Sequence, residues 1–181
     1  MKNILVVTGS PRKGGNSDLL ADAFIEGAES AGHSVTKFEA AFKDIKGCRA
    51  CNACFSKGRA CVFDDDFNEL APHLEKAEVL VFAAPLYCFS FPAQLKAAID
   101  KLYSFYITEH PLGVRECCLI ACGADEEEAV FEGMVKTYEH LAAYSGWTDK
   151  GKLLVAGVSE KGDVKNTDSL GRAKAMGAGI Q

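Results

Sequence analysis

Nine residues near the N-terminus, Gly9-Ser10-Pro11-Arg12-Lys13-Gly14-Gly15-Asn16-Ser17, bring together two cations, two hydroxyls, an amide and three glycines. They follow an apolar, β-rich run over residues 4–8. They precede a stretch in which Leu19, Leu20, Ala23, Phe24 and Ala28 recur at helical spacing. A loop between strand and helix presents free backbone N–H groups and the positive end of a helix dipole, which suit a phosphate. Arg12 adds a forked cation and Ser10 and Ser17 add hydroxyl donors, with Lys13 and Asn16 beside them. Gly9 and Gly14 have the spacing of a Walker loop, but Gly15-Asn16 stand where it needs Lys and Ser/Thr. G-x-G-x-x-G is absent, and no cysteine nucleophile is present for a phosphatase loop. What remains is a cradle for one terminal phosphate monoester, or an ordinary strand–helix turn with an Asn-Ser cap.

The second concentration of chemistry is Cys48-x2-Cys51-x2-Cys54-x6-Cys61, four of the eight cysteines. The N-terminal apolar run stops at Gly9, too short for a signal-peptide core, and no small-residue cleavage site follows. The expected compartment is therefore the cytoplasm, where clustered cysteines point to metal or catalysis before disulfides. Zinc sites usually pair one C-x2-C with a second pair well downstream. Two consecutive x2 spacings instead follow the ferredoxin pattern that wraps a [4Fe–4S] cube, and the x6 spacer with Gly58 would let Cys61 close it. An iron–sulfur site, a zinc site and a metal-free loop all remain open at this point. Cys117 and Cys118 lie in an apolar run and read as small hydrophobes, and Cys88 sits in an aromatic loop. His33, His73, His110 and His140 lack metal-like partners.

These residues need a frame. Strands are expected at residues 4–8, 35–38, 79–83, 117–121 and 153–156. Helices are expected from Ser17 to Gly32, over 67–76 behind an Asp66/Glu69 cap pair, and over 93–105. Two more are expected, from an Asp125/Glu128 pair to Tyr144 and from Asp168 onward. Residues 41–65 carry the cysteines and many charges without periodicity. Five alternating strand–helix units imply an α/β fold: a doubly wound, five-stranded parallel sheet of flavodoxin-like order 2-1-3-4-5, helices on both faces. The loop after the first strand then opens at the topological switch point.

The chain has 181 residues, 48% hydrophobic, enough for one domain over 1–181 with a cysteine-rich insert at about 44–66. Its net charge of -5 argues against a nucleic-acid binder with a basic face, and no apolar run is long enough to span a membrane.

The first loop resembles that of the NADPH-dependent FMN reductase family. So does a second string, Ala84-Pro85-Leu86-Tyr87-Cys88-Phe89-Ser90-Phe91-Pro92-Ala93, followed by Gln94-Leu95-Lys96-Ala97-Ala98-Ile99-Asp100-Lys101. The cysteine motif resembles the branch called iron–sulfur flavoproteins. The resemblance implies non-covalent FMN, its phosphate at Ser10, Arg12, Lys13, Asn16 and Ser17. Pro85, Leu86, Tyr87, Cys88, Phe89 and Ser90 would line the isoalloxazine, and residues around Gly123 would close the third side. Tyr87, Phe89 and Phe91 offer stacking area, and alternation along an extended loop would send all three to one side. The implied activity is transfer of electrons from NAD(P)H through the flavin, with no acid or base residue needed. The acceptor would be a small molecule such as free flavin or a quinone, or a ferredoxin-like protein reached through a [4Fe–4S] cluster at Cys48, Cys51, Cys54 and Cys61. The alternative is an electron carrier without its own substrate. Family members resembling this chain are commonly dimers or tetramers.

Overall fold

In the computed structural model, which describes residues 1–181, five strands form one parallel sheet. They are β1 (Asn3–Thr8), β2 (Ser34–Glu39), β3 (Val79–Pro85), β4 (Glu116–Cys122) and β5 (Thr148–Val155). Their order is β2-β1-β3-β4-β5, the flavodoxin-like arrangement that the alternating pattern implied. The helices are α1 (Asn16–Ser30), α2 (Phe67–Lys76), α3 (Ala93–Lys101), α4 (Tyr103–Tyr106), α5 (Glu132–Ser145) and α6 (Ser169–Ala178). None is long and apolar enough to cross a membrane.

Burial on both faces explains the continuous apolar strands. Ile4, Val6, Val79, Val81 and Ile120 join Leu20, Phe24 and Ala173 of α1 and α6 in one core. Leu5, Val7, Leu80, Phe82 and Leu119 join residues of α2, α3 and α5, with Trp147, in the other.

α1 and α6 pack backbone to backbone. A Cβ on Gly27 would run into the carbonyl oxygen of Lys174, and one on Gly177 into that of Phe24. Gly171, in the same helix α6, has open space around it. Gly177→Ala is therefore expected to destabilise the fold by about 1–3 kcal/mol through overpacking. Gly171→Ala should stabilise it by roughly 0.5–1 kcal/mol through helix propensity. Denaturant midpoints of the two variants would check the opposite signs.

Four local expectations are corrected. The Asp66/Glu69 cap pair does not form: Asp66 Oδ2 accepts the Asp44 amide at 2.7 Å, Glu69 pairs with Lys43, and Asp65 Oδ1 takes the Phe67 amide at 3.2 Å. The two neighbouring aspartates thus staple the irregular cysteine segment to the start of α2. The helix expected from Asp125 begins at Glu132, after a 3-10 turn over Glu128–Phe131, because Asp125 closes its own turn on the Glu127 amide at 3.0 Å. The helix expected over 93–105 breaks after Lys101 into α3 and α4. β5 starts at Thr148, earlier than its apolar half suggests, since an edge strand tolerates a polar first half.

Candidate functional site

The carboxyl ends of β1, β3 and β4 open into a cleft of about 210 Å³ at the switch point of the sheet. The β1–α1 loop contributes Ser10, Arg12, Gly15, Asn16 and Ser17. The end of β3 contributes Pro85, Leu86 and Tyr87, and the end of β4 Cys122, Gly123 and Ala124. Val158, Ser159 and Lys161 reach in from the loop between β5 and α6.

The first loop folds as a phosphate cradle should. Ser10 Oγ accepts the Arg12 amide at 3.1 Å, Gly15 N–H closes on the Arg12 carbonyl at 2.9 Å, and Gly14 takes the left-handed φ of 64°. Asp18, in the first turn of α1, accepts the Gly14 amide at 2.7 Å and the Lys37 ammonium at 2.6 Å. Burial opposes the Lys37 charge, but the carboxylates of Asp18 and Asp22 outweigh it and raise its pKa. That pairing neutralises the one carboxylate next to the loop. The amides of Ser10, Lys13 and Asn16 find no acceptor within the chain, although Ser10 and Asn16 are buried. Such orphan donors at a helix N-terminus, beside an Arg12 that makes no ion pair, fit an anion.

Two residues of the predicted cradle are engaged otherwise. The Lys13 ammonium lies 4.8 Å from the centre of the Phe42 ring, outside the cleft lining. Asn16 Nδ2 donates to the Glu160 carbonyl at 2.8 Å, and its Oδ1 accepts the amides of Gly162 at 2.9 Å and Val164 at 3.3 Å. Its side chain therefore ties the β5–α6 loop to the start of α1, leaving only its backbone N–H for the cleft.

The second loop is not extended. Tyr87 and Ser90 exchange two backbone hydrogen bonds of 3.0 Å, and Cys88 and Phe89 between them have left-handed φ of 46° and 63°. That is a two-residue turn of the hairpin type, in a conformation costly for non-glycine residues. The Phe89 carbonyl packs against Gly133 at the start of α5, where a Cβ would come within 2.7 Å of it. The turn splits the three aromatics: Tyr87 edges the cleft, Phe89 projects into solvent, and Phe91 is buried edge-to-face on Phe82 with centroids 5.9 Å apart. The expected common side is thereby corrected, and Cys88, Phe89 and Ser90 stand outside the cleft lining. Leu86 N–H bonds the Cys122 carbonyl at 2.7 Å, fixing the β3 and β4 ends together. Burial pushes the Cys122 thiol up to about 12, against the Ser17 hydroxyl and amide, so it stays a neutral wall of the cleft.

Cys48, Cys51, Cys54 and Cys61 line one separate cavity of about 20 Å³. Ala50, Asn52, Phe55 and Gly58 take left-handed φ, which winds the short loop around that point. The Ala50 amide donates to Cys48 Sγ at 3.5 Å, and the Lys101 ammonium donates to Cys61 Sγ at 3.5 Å. Burial, then the charges of Cys51, Cys48 and Cys61, push the Cys54 thiol up. No three histidine, cysteine, aspartate or glutamate side chains are gathered closely enough to hold a metal ion. The donor chemistry fits an iron–sulfur cluster. The cavity, about one water in size, would have to widen to take one.

Sequence reading missed three residues here. Lys161 was hidden in a polar loop with no motif. Asp65 and Lys101 were hidden because nothing local marks a Lys on a helix's inner face; they form a buried ion pair, with side chains 1% and 4% exposed. Cys117 and Cys118 are buried, as expected, and burial raises both thiols, Cys118 to about 12. His33 bridges the Lys2 amide and the Ile180 carbonyl, and His110 stacks on Phe55.

Comparison with known proteins agrees with this architecture. The NAD(P)H:quinone oxidoreductase of Methanothermobacter marburgensis superposes with a TM-score of 0.78 at 18% identity, over 98% of this chain and 94% of that one, a likeness of fold. An iron–sulfur flavoprotein of Archaeoglobus fulgidus is 35% identical over 99 residues, which span 55% of this chain but only 44% of that protein. YwqN of Bacillus subtilis, whose name describes an NAD(P)H-dependent FMN-containing oxidoreductase, is 25% identical over 89% of this chain and 88% of its own length. The family model for NADPH-dependent FMN reductases matches residues 2–144, which carry both loop motifs and the strands β1, β3 and β4 that open the cleft, and the chain belongs to that family.

Proposed function

We propose that the chain is an FMN-dependent oxidoreductase that takes electrons from NAD(P)H and passes them to a small-molecule acceptor. The observation that carries this is the set of unpartnered, buried amides at the start of α1, next to Arg12 and opposite an apolar ledge. Bound there, FMN would supply acceptance of a hydride equivalent and its onward delivery. The residues divide the work. Ser10, Arg12 and the amide of Asn16 hold the phosphate. Pro85, Leu86 and Tyr87 on one side and Gly123 and Ala124 on the other bracket the ring, held in register by the Leu86–Cys122 backbone bond. Tyr87 is 39% exposed, so the cleft stays open to a second flat molecule. No side chain needs to move a proton, in keeping with the neutral Cys122.

The cysteine loop supports a second element of this reading, an iron–sulfur cluster that would direct electrons to a ferredoxin-like protein. Four cysteines facing one cavity, two of them receiving N–H donors, favour it, as do relatives named iron–sulfur flavoproteins. Anaerobically purified protein tests both parts through its visible spectrum, flavin, iron and zinc content, and NAD(P)H oxidation with and without a quinone. One FMN per chain with quinone-stimulated oxidation is expected. FMN without such oxidation would leave the electron-carrier alternative, and no affinity for FMN would overturn the reading. About four irons per chain would establish the cluster, and flavin without iron would remove it.

A further inference from the structure

We propose that Lys161, from the β5–α6 loop, is the second cationic ligand of the flavin phosphate, and that Asn16 serves to deliver it. The inference rests on the FMN reading and goes beyond it, since Lys161 lies outside residues 2–144, the segment matched to the family.

A phosphate monoester carries nearly two negative charges at neutral pH. The β1–α1 loop offers one free cation to match them, Arg12, because Lys13 is turned onto Phe42. Lys161 supplies what is lacking. It lines the same cleft and forms no ion pair or hydrogen bond within the chain. Its Nζ lies 3.6 Å from where a Cβ on Gly14 would stand, directly over the cradle. A free ammonium above a ring of free amides has no partner in the protein, and a bound phosphate would be one.

The loop that carries it is built to keep it there. Asp163 Oδ2 accepts the amides of Ser159 at 3.1 Å and Glu160 at 2.7 Å, closing a tight turn through Gly162, whose φ is 94°. Val164, fully buried, anchors the far end. The three Asn16 hydrogen bonds, to Glu160, Gly162 and Val164, clamp both sides of Lys161 to the first residue of α1. The donor amides and the Lys161 backbone thus belong to one preorganised unit, so only the lysine stem is left to order on binding.

The test compares FMN with riboflavin, which has the same ring and no phosphate. Kd is measured by flavin fluorescence for wild type, Lys161→Gln, Lys161→Arg and Asn16→Ala. Lys161→Gln should weaken FMN about tenfold, as expected for loss of a charge-assisted hydrogen bond, and leave riboflavin within about twofold. It should also flatten the salt dependence of FMN binding. Lys161→Arg should retain most of the affinity, and Asn16→Ala should weaken FMN although Lys161 is intact. Unchanged FMN affinity in Lys161→Gln would overturn the proposal, as would equal losses for FMN and riboflavin. A loss confined to NADPH relative to NADH would assign Lys161 to the nucleotide's 2′-phosphate instead. Wild-type protein that binds neither flavin would overturn the FMN reading itself, an outcome distinct from the others.

Discussion

Lys101→Met is expected to destabilise the protein by about 3–5 kcal/mol, the cost of stranding a buried carboxylate without its counter-charge. The Asp65 side chain is 1% exposed and Lys101 4%, so water cannot replace the lost ammonium. Asp65 would keep only the amides of Lys46 at 3.1 Å and Phe67 at 3.2 Å. Methionine retains the length of the stem, which isolates the effect of the charge. A domain of this kind has roughly 5–15 kcal/mol in total, so the loss should be plain in a urea midpoint. Adding Asp65→Asn to Lys101→Met should recover part of it, because no charge is left buried, and only part, because the Lys46 and Phe67 amides reach different carboxylate oxygens and the single amide oxygen can accept one of them. A single variant within about 1 kcal/mol of wild type would show that this pair contributes no more than an exposed one. The pair joins α3 to the cysteine loop, and Lys101 also donates to Cys61 Sγ.

The sheet was legible because its information is local and redundant. Residues 4–8 and 79–83 are apolar at every position from Ile4 to Val7 and from Val79 to Ala83, and a run that short, bounded by turn residues, suits a strand covered on both faces. The switch point follows from strand order, and Ser10, Arg12, Asn16, Ser17, Pro85, Leu86, Tyr87 and Gly123 do line the cleft there. What escaped was set by partners far away in the chain. Asn16 looks like a phosphate ligand until Glu160 and Val164 are seen on its side chain. Lys13 has the same charge as Arg12, and only the position of Phe42 distinguishes them. The alternation of Tyr87, Phe89 and Phe91 presumed an extended loop. Gly133, more than forty residues on, makes room for the turned one. Asp66 had the spacing of a cap, but the Asp44 amide competed for its carboxylate and won.

The same division between local and distant partners makes Arg12 the sharpest point of attack on the cleft. Arg12 is exposed, engages no carboxylate, and sits between Ser10 and the free amides of the helix start. Arg12→Ala removes a forked donor whose hydrogen bonds to an anion are typically worth about 1.5–3 kcal/mol, so FMN affinity should fall roughly 10- to 150-fold. The cradle itself should persist, because the Ser10–Arg12, Arg12–Gly15 and Gly14–Asp18 bonds use the Arg12 backbone or other residues. Circular dichroism and the urea midpoint should accordingly match wild type. Arg12→Lys should recover only part of the affinity, since an ammonium keeps the charge and loses the fork. Riboflavin binding should not change. A fall in riboflavin affinity equal to that for FMN would place Arg12 against the ring, and unchanged FMN affinity would remove it from the phosphate site. Because Arg12 and Lys161 approach the cradle from different loops, their combined loss tests whether the phosphate site works as one unit. Two cations on one dianion should couple, so the double variant should lose less than the product of the single losses.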